Sequence, residues 1–114
     1  MSDVSKDLVA ASSKIIILSI LSREENYGYQ ILTTIKLLTD GGWMWYEGFL
    51  YPVLHKLERD KMIKSRWVVM ENGRKRKYYQ ITDQGIQSLQ KEKAEWKFVD
   101  GTLHKIWGME SCPR

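Results

Sequence analysis

Four consecutive cations, Arg74, Lys75, Arg76 and Lys77, are the densest chemistry in this sequence, and the chemistry they offer is the holding of phosphate. From Lys61 to Ile81 seven basic side chains stand against the single acid Glu71. Residues 1–60 hold six basic and eight acidic side chains, and residues 82–114 hold five of each. The net charge of +4 is thus concentrated on one short segment, which reads as a footprint for a polyanion. A solvated charge run is the alternative, and position in the fold decides between them. A second group, Gly48, Tyr51, His55 and Lys56, falls on one side of a helical stretch. Gly48 admits close approach, His55 either reads a base edge or is simply exposed and neutral, and Lys56 can reach a phosphate or a guanine. Catalysis finds little support. His55 and His104 lie on different helical stretches with no nucleophile motif beside them, Cys112 is the single cysteine, and no glycine-rich phosphate loop occurs. Neither an enzyme nor a cofactor or metal is expected.

The elements that must position these groups follow from periodicity. Val4 to Leu21 reads as a helix with apolar residues on two sides: Leu8, Ala11, Ile15, Leu18 and Ser19 on one stripe, Val9, Ile16 and Ile20 on another. A helix apolar on more than one side needs cover on more than one side, which in so short a chain favours a second subunit. Asn26 reads as the cap of a second helix carrying Ile31, Leu32, Ile35 and Leu38, stopped at Gly41-Gly42. Trp43 to Tyr46 reads as a short strand, and Glu47 to Asp60 as a third helix burying Leu50, Val53, Leu54 and Leu57. Pro52 inside it implies a loose first turn or a regular start nearer Leu50.

Ile63 to Glu71 and Arg74 to Ile81 are strand-like, and Asn72-Gly73 between them is a two-residue hairpin signal. That turn sets Glu71 opposite Arg74, Val69 opposite Arg76 and Trp67 opposite Tyr78. The basic residues then alternate faces, so the hairpin tip projects into solvent. Thr82-Asp83 caps a last helix, on which Ile86, Leu89, Trp96, Val99, Leu103 and Ile106 form a stripe. At roughly 25 residues and about 38 Å, this helix exceeds what one small domain needs. Leu89, Trp96, Val99, Leu103, Ile106 and Trp107 are therefore the expected dimer surface, while Trp43, Trp45 and Trp67 are assigned to packing.

The order helix, helix, short strand, helix, basic hairpin, helix is that of a winged helix-turn-helix. The expected class is mainly α with a small β-hairpin and an added C-terminal dimerisation helix. Residues 1–81 form the DNA-binding domain, 82–108 the dimerisation helix and 109–114 a flexible tail. Within the length of 114 residues, 43% hydrophobic and 28% charged side chains suit one globular domain. The longest aliphatic run, Ile15 to Leu18, is too short to span a bilayer. No secretory signal is visible, and a reducing, cytoplasmic setting with no membrane partner is expected.

Three segments carry a resemblance to a known family: residues 26–31 (NYGYQI), 47–58 (EGFLYPVLHKLE) and 73–82 (GRKRKYYQIT). Together they resemble the PadR family of transcriptional repressors, over roughly Ile15 to Leu103. The short chain with one C-terminal helix is similar to the short-tailed, multidrug-responsive branch of that family. The resemblance implies a homodimeric repressor on a pseudo-palindromic double-stranded operator, with Tyr29 touching phosphate. It also implies a small aromatic ligand at the dimer interface. Trp96, Val99 and Asp100 match its ligand motif, and Leu8, Ile15 and Ser19 the opposite wall. Read without the resemblance, Trp96 is a core or interface residue, Asp100 an exposed one, and the last three are core. The sequence departs from the family at Tyr46 and Phe49, where small polar residues are usual, at Lys61, where glycine is usual, and at Lys93, where an apolar residue is usual. A protein-interaction module using Tyr46 and Phe49, or a ligand-buffering protein with weak DNA affinity, are the competing readings.

Overall fold

The protein is described by a computed structural model covering residues 4–110; Met1–Asp3 and residues 111–114, with Cys112, lie outside the described residues. The chain runs α1 (Lys6–Arg23), β1 (Asn26–Tyr27), α2 (Gly28–Leu38), α3 (Glu47–Arg59), β2 (Ile63–Val69), β3 (Lys75–Ile81) and α4 (Asp83–Glu110). The three strands form one antiparallel sheet in the order β1-β3-β2. None of the described helices is long and apolar enough to cross a membrane.

One core holds the elements together. Ile17, Leu18 and Leu21 of α1 meet Ile31 and Ile35 of α2, Leu50, Leu54 and Leu57 of α3, and Ile63 and Tyr79 of the sheet. Trp45 and Leu89 complete it. The second side of α1 is not closed by its own chain: Ile15, Ile16 and Ser19 are only half-buried and line an apolar groove. The two-sided pattern of α1 thus has one side in the core and one on that groove.

Several details differ from the sequence-based expectation. Asn26 is no cap: it pairs with Tyr79 in β1, while Tyr27 takes the N-cap position of α2 without a side-chain hydrogen bond. Trp43 to Tyr46 forms no strand; Trp43 packs tilted against Trp45, and Trp45 edge-on to Phe49, so aromatic packing rather than strand pairing holds this linker. Helix α3 begins at Glu47 despite Pro52, because the Tyr46 carbonyl already accepts from the Phe49 and Leu50 amides. The carbonyl that Pro52 leaves without its helical donor belongs to Gly48, which is exposed to water.

The hairpin register is shifted by one residue. Val69 pairs with Lys75, Val68 with Arg76 and Trp67 with Lys77. The cause is the turn: the Met70 amide donates to the Arg74 carbonyl, the Gly73 amide to the Met70 carbonyl, and Gly73 has φ +83°. This is a three-residue loop ending on a left-handed glycine rather than a two-residue turn. Because side chains alternate along a strand, the shift exchanges which β3 residues lie beside which β2 residues.

Helix α4 is capped as expected: Thr82 Oγ1 accepts from the Gly85 amide and donates to the Lys61 carbonyl. It spans 28 residues, about 42 Å, and helps stretch the molecule to 68 Å in its longest dimension. Leu89 is 1% exposed within its own chain and so cannot belong to a dimer surface; it faces the core because it lies in the first turns of α4, where α1 packs. Beyond it, Val99, Leu103, Ile106 and Trp107 are exposed.

Candidate nucleic-acid interface

Helix α3 buries Leu50, Leu54 and Leu57 and thereby turns Gly48, Pro52, His55, Lys56 and Arg59 to solvent. These positions recur at steps of three and four, so they form one stripe. Its charge is tempered at one place, where Lys56 lies 3.8 Å from Asp60 one turn on. Arg59 extends the stripe beyond the residues singled out from sequence, although its spacing from His55 marks it. Tyr51 is half-buried rather than a free contact. Its ring lies across the start of α2, where a Cβ on Gly28 would come within 2.5 Å of the hydroxyl oxygen. Glycine at 28 is what permits that approach. Burial, and secondarily the charge of Glu47, pushes the Tyr51 hydroxyl up from its ordinary value.

The β2–β3 hairpin is the second wall. Arg74 and Lys75 are exposed and form no ion pair among the described residues. Arg76 is half-buried, its guanidinium 4.0 Å from the centroid of the Tyr27 ring. Tyr27 meets Tyr78 edge-on at 5.4 Å, and Arg66, which donates from Nε and Nη2 to the two carboxylate oxygens of Glu25, lies over Tyr78. That hydrogen-bonded ion pair holds the Glu25 carboxyl below the usual carboxylate range. The outer face of the sheet is therefore a ladder of stacked cations and tyrosines that fixes Arg76 in place. On the inner face, Glu58 of α3 lies 3.8 Å from Lys77 Nζ and accepts from Ser65 Oγ. One carboxylate thus ties the helix to both strands of the hairpin.

Between the walls lies a cleft of about 570 Å³ lined by Tyr29, Tyr51, His55, Lys75, Arg76 and Lys77, with Trp67 at its edge. The fold brings these together from four elements, α2, α3, β2 and β3. Gly48 and Lys56 sit outside the cleft on the same exposed stripe of α3 as His55, and Arg74 at the hairpin tip. Of the two adjacent tyrosines, Tyr79 turns inward and is fully buried, while Tyr78 stacks outward. Trp67, assigned to packing from sequence, is 63% exposed. It shares a face with the buried Ile63 but lies nearer the hairpin tip, past the part of the sheet that packs on the core, and it pairs there with Lys77 rather than a tyrosine.

The residues matched to a ligand site divide. Ile15, Ser19 and Trp96 line the apolar groove of about 500 Å³ between α1, α2 and α4, together with Trp43, Leu38 and Ile35. Leu8, Val99 and Asp100 do not line it and are exposed. Asp100 is instead 3.3 Å from His104 one turn along α4.

A basic, partly aromatic cleft thus lies between a solvent-facing helix stripe and a cationic hairpin. The pattern of the transcriptional regulator PadR-like family matches residues 17–91. The chain belongs to that family. Its architecture is that of the PadR winged-helix regulators: a structure of a transcriptional regulator from Clostridium thermocellum is 32% identical with a TM-score of 0.80, covering 90% of this chain and 96% of the other. The structure of a PadR-like transcriptional regulator from Bacillus cereus is 32% identical with a TM-score of 0.78, covering 90% and 97%. The transcriptional regulator YqjI of Escherichia coli is 32% identical over 87 residues, which are 76% of this chain and 40% of that longer protein. PadR-like proteins are transcriptional regulators rather than enzymes. The match ends at residue 91, so Trp96 and the exposed apolar residues of α4 lie beyond the segment that defines membership in this PadR-like regulator.

Proposed function

We propose that this PadR-like regulator is a homodimeric repressor that reads a pseudo-palindromic double-stranded operator and is released by a flat aromatic ligand. The observation that carries the DNA reading is the shared cleft: His55, from the exposed stripe of α3, and Lys75, Arg76 and Lys77 of the wing line the same space. With α3 in a major groove, Gly48 allows close approach, His55, Lys56 and Arg59 face base edges, and Tyr29, Lys75, Arg76 and Lys77 face the flanking phosphates. Arg74 at the tip extends the phosphate contacts. The competing interaction patch is split, because Phe49 packs on Trp45 while only Tyr46 stands exposed.

Support for the dimer comes from α4, whose Val99, Leu103, Ile106 and Trp107 expose apolar surface that nothing in the described chain covers. Two recognition helices in such a dimer reach major grooves about one turn, ~34 Å, apart. Support for the ligand comes from the groove holding Ile15, Ser19, Trp43 and Trp96, whose volume of about 500 Å³ suits a small molecule. Leu8, Val99 and Asp100 join that site only when two chains pack together. A ligand that binds one relative placement of the two heads better than the other shifts the equilibrium away from DNA, and DNA weakens the ligand by the same factor.

The test is fluorescence anisotropy of a labelled duplex from the region upstream of the gene, against a scrambled duplex, at two salt concentrations. Preference for the upstream duplex that weakens with salt and vanishes in Arg74→Glu/Arg76→Glu is the expected result. Equal affinity for a wide panel of duplexes, insensitive to that charge reversal, would overturn the operator reading. Titrating flat aromatic cations into the complex, with Trp96→Ala as control, tests release.

A further inference from the structure

We infer that Trp67 is itself a DNA-contact residue, its indole packing on the sugar–phosphate strand that passes between α3 and the wing; the inference rests on the DNA-binding reading above. Residue 67 belongs to the face of the sheet that covers α3. Along that face Ile63, Ser65, Trp67 and Val69 of β2 pair with Ile81, Tyr79, Lys77 and Lys75 of β3. The half nearer the core is used by the fold: Ile63 and Tyr79 are buried, and Ser65 donates to Glu58. The half nearer the tip covers nothing, and Trp67 and Val69 are 63% and 66% exposed on the very side of the sheet that elsewhere packs inward.

The surroundings of the indole favour nucleic acid as its occupant. Lys77 Nζ lies 5.8 Å from the ring centroid, and Lys75 is the next residue toward the tip on the same face. Across the cleft stand His55 and Tyr29, the latter 66% exposed. Lys77 already has Glu58 beside it, whereas Lys75 is in no ion pair among the described residues; a DNA strand supplies a phosphate for Lys75 and the apolar face of a deoxyribose for the ring. The two contacts differ in their dependence on salt. Phosphate neutralisation releases counterions and steepens the salt dependence, whereas apolar burial contributes affinity that salt barely changes. An indole on the strand therefore adds affinity without adding slope.

The full chain is titrated against a labelled duplex of random sequence at several salt concentrations, because a contact to the backbone needs no operator. Trp67→Ala is expected to weaken binding about tenfold at every salt concentration with the slope unchanged, and Trp67→Phe to recover most of the affinity. Lys75→Gln is expected to flatten the slope by about 0.9 per bound head. Circular dichroism melts accompany each variant, and Trp67→Gln replaces the alanine variant if that one melts early. Wild-type affinity in Trp67→Ala or Trp67→Gln overturns the inference. So does a loss accompanied by a flatter slope, which would mean that the ring acts by holding Lys77. A wild-type chain that binds no duplex at all overturns the DNA reading and this inference with it, so the two failures are told apart.

Discussion

Replacing Lys61 by glycine should stabilise the fold. Helix α3 ends with two reversed hydrogen bonds, from the Lys61 amide to the Glu58 carbonyl at 3.0 Å and from the Met62 amide to the Leu57 carbonyl at 2.9 Å. Such a closure needs residue 61 in the left-handed region, and its φ is +62°. There a Cβ crowds the following carbonyl, at a cost of about 1–2 kcal/mol. Glycine removes the crowding but gives the unfolded chain more freedom, which takes back about 0.5–1 kcal/mol. The Lys61 side chain is exposed and in no ion pair among the described residues, so its removal loses no contact of that kind. The net gain is about 0.5–1 kcal/mol, a rise in melting temperature of about 2–4 °C for a chain of this length. Differential scanning calorimetry of wild type, Lys61→Gly and Lys61→Ala at neutral pH measures it. A glycine variant melting at or below wild type, with the alanine variant no worse, would refute the reasoning. The joint matters for function because it sets the angle between α3 and the wing.

Gly85 lies against the same joint: a Cβ there would overlap the Met62 carbonyl oxygen, which is held from the other side by the Thr82 amide and hydroxyl. Gly85→Ala is expected to destabilise by about 2–3 kcal/mol in guanidinium denaturation, and a midpoint within error of wild type would contradict this. Tyr79 predicts an alkaline limit. Burial first, then the charges of Glu58 and Tyr51, pushes its hydroxyl from 10.0 up to about 12. Below pH 10 both folded and unfolded chains hold the proton and nothing changes. Between pH 10 and about 12 only the unfolded chain releases it, so stability falls as pH rises, by about 2–3 kcal/mol in total. Urea titrations across that range should show a steeper decline for wild type than for Tyr79→Phe, and equal slopes would count against the assignment.

Helix α3, the capped start of α4, the basic hairpin and the winged-helix order were legible in the sequence, because each is written in local signals. Leu50, Leu54 and Leu57 repeat at helical steps, Thr82-Asp83 precedes a periodic stripe, and four cations follow a turn. The same periodicity placed His55 and Lys56 on an exposed side of α3, where the structure also has them. Local signals also carried the family resemblance, since the matching residues occur in three short runs.

What tertiary structure decided concerns partners far apart in sequence. The pairing of Asn26 with Tyr79 turned an expected helix cap into a strand, because the vacant edge of β3 offered hydrogen bonds that local propensity does not record. A single left-handed glycine moved the hairpin register by one residue, so that Trp67 pairs with Lys77 rather than Tyr78, and its place near the tip, past the part of the sheet that packs on the core, leaves it exposed. Leu89 and Leu103 share one helical stripe, yet only the first is buried in the core. A periodic stripe says which side of a helix seeks cover; where along its length that cover is found depends on how far the rest of the chain reaches.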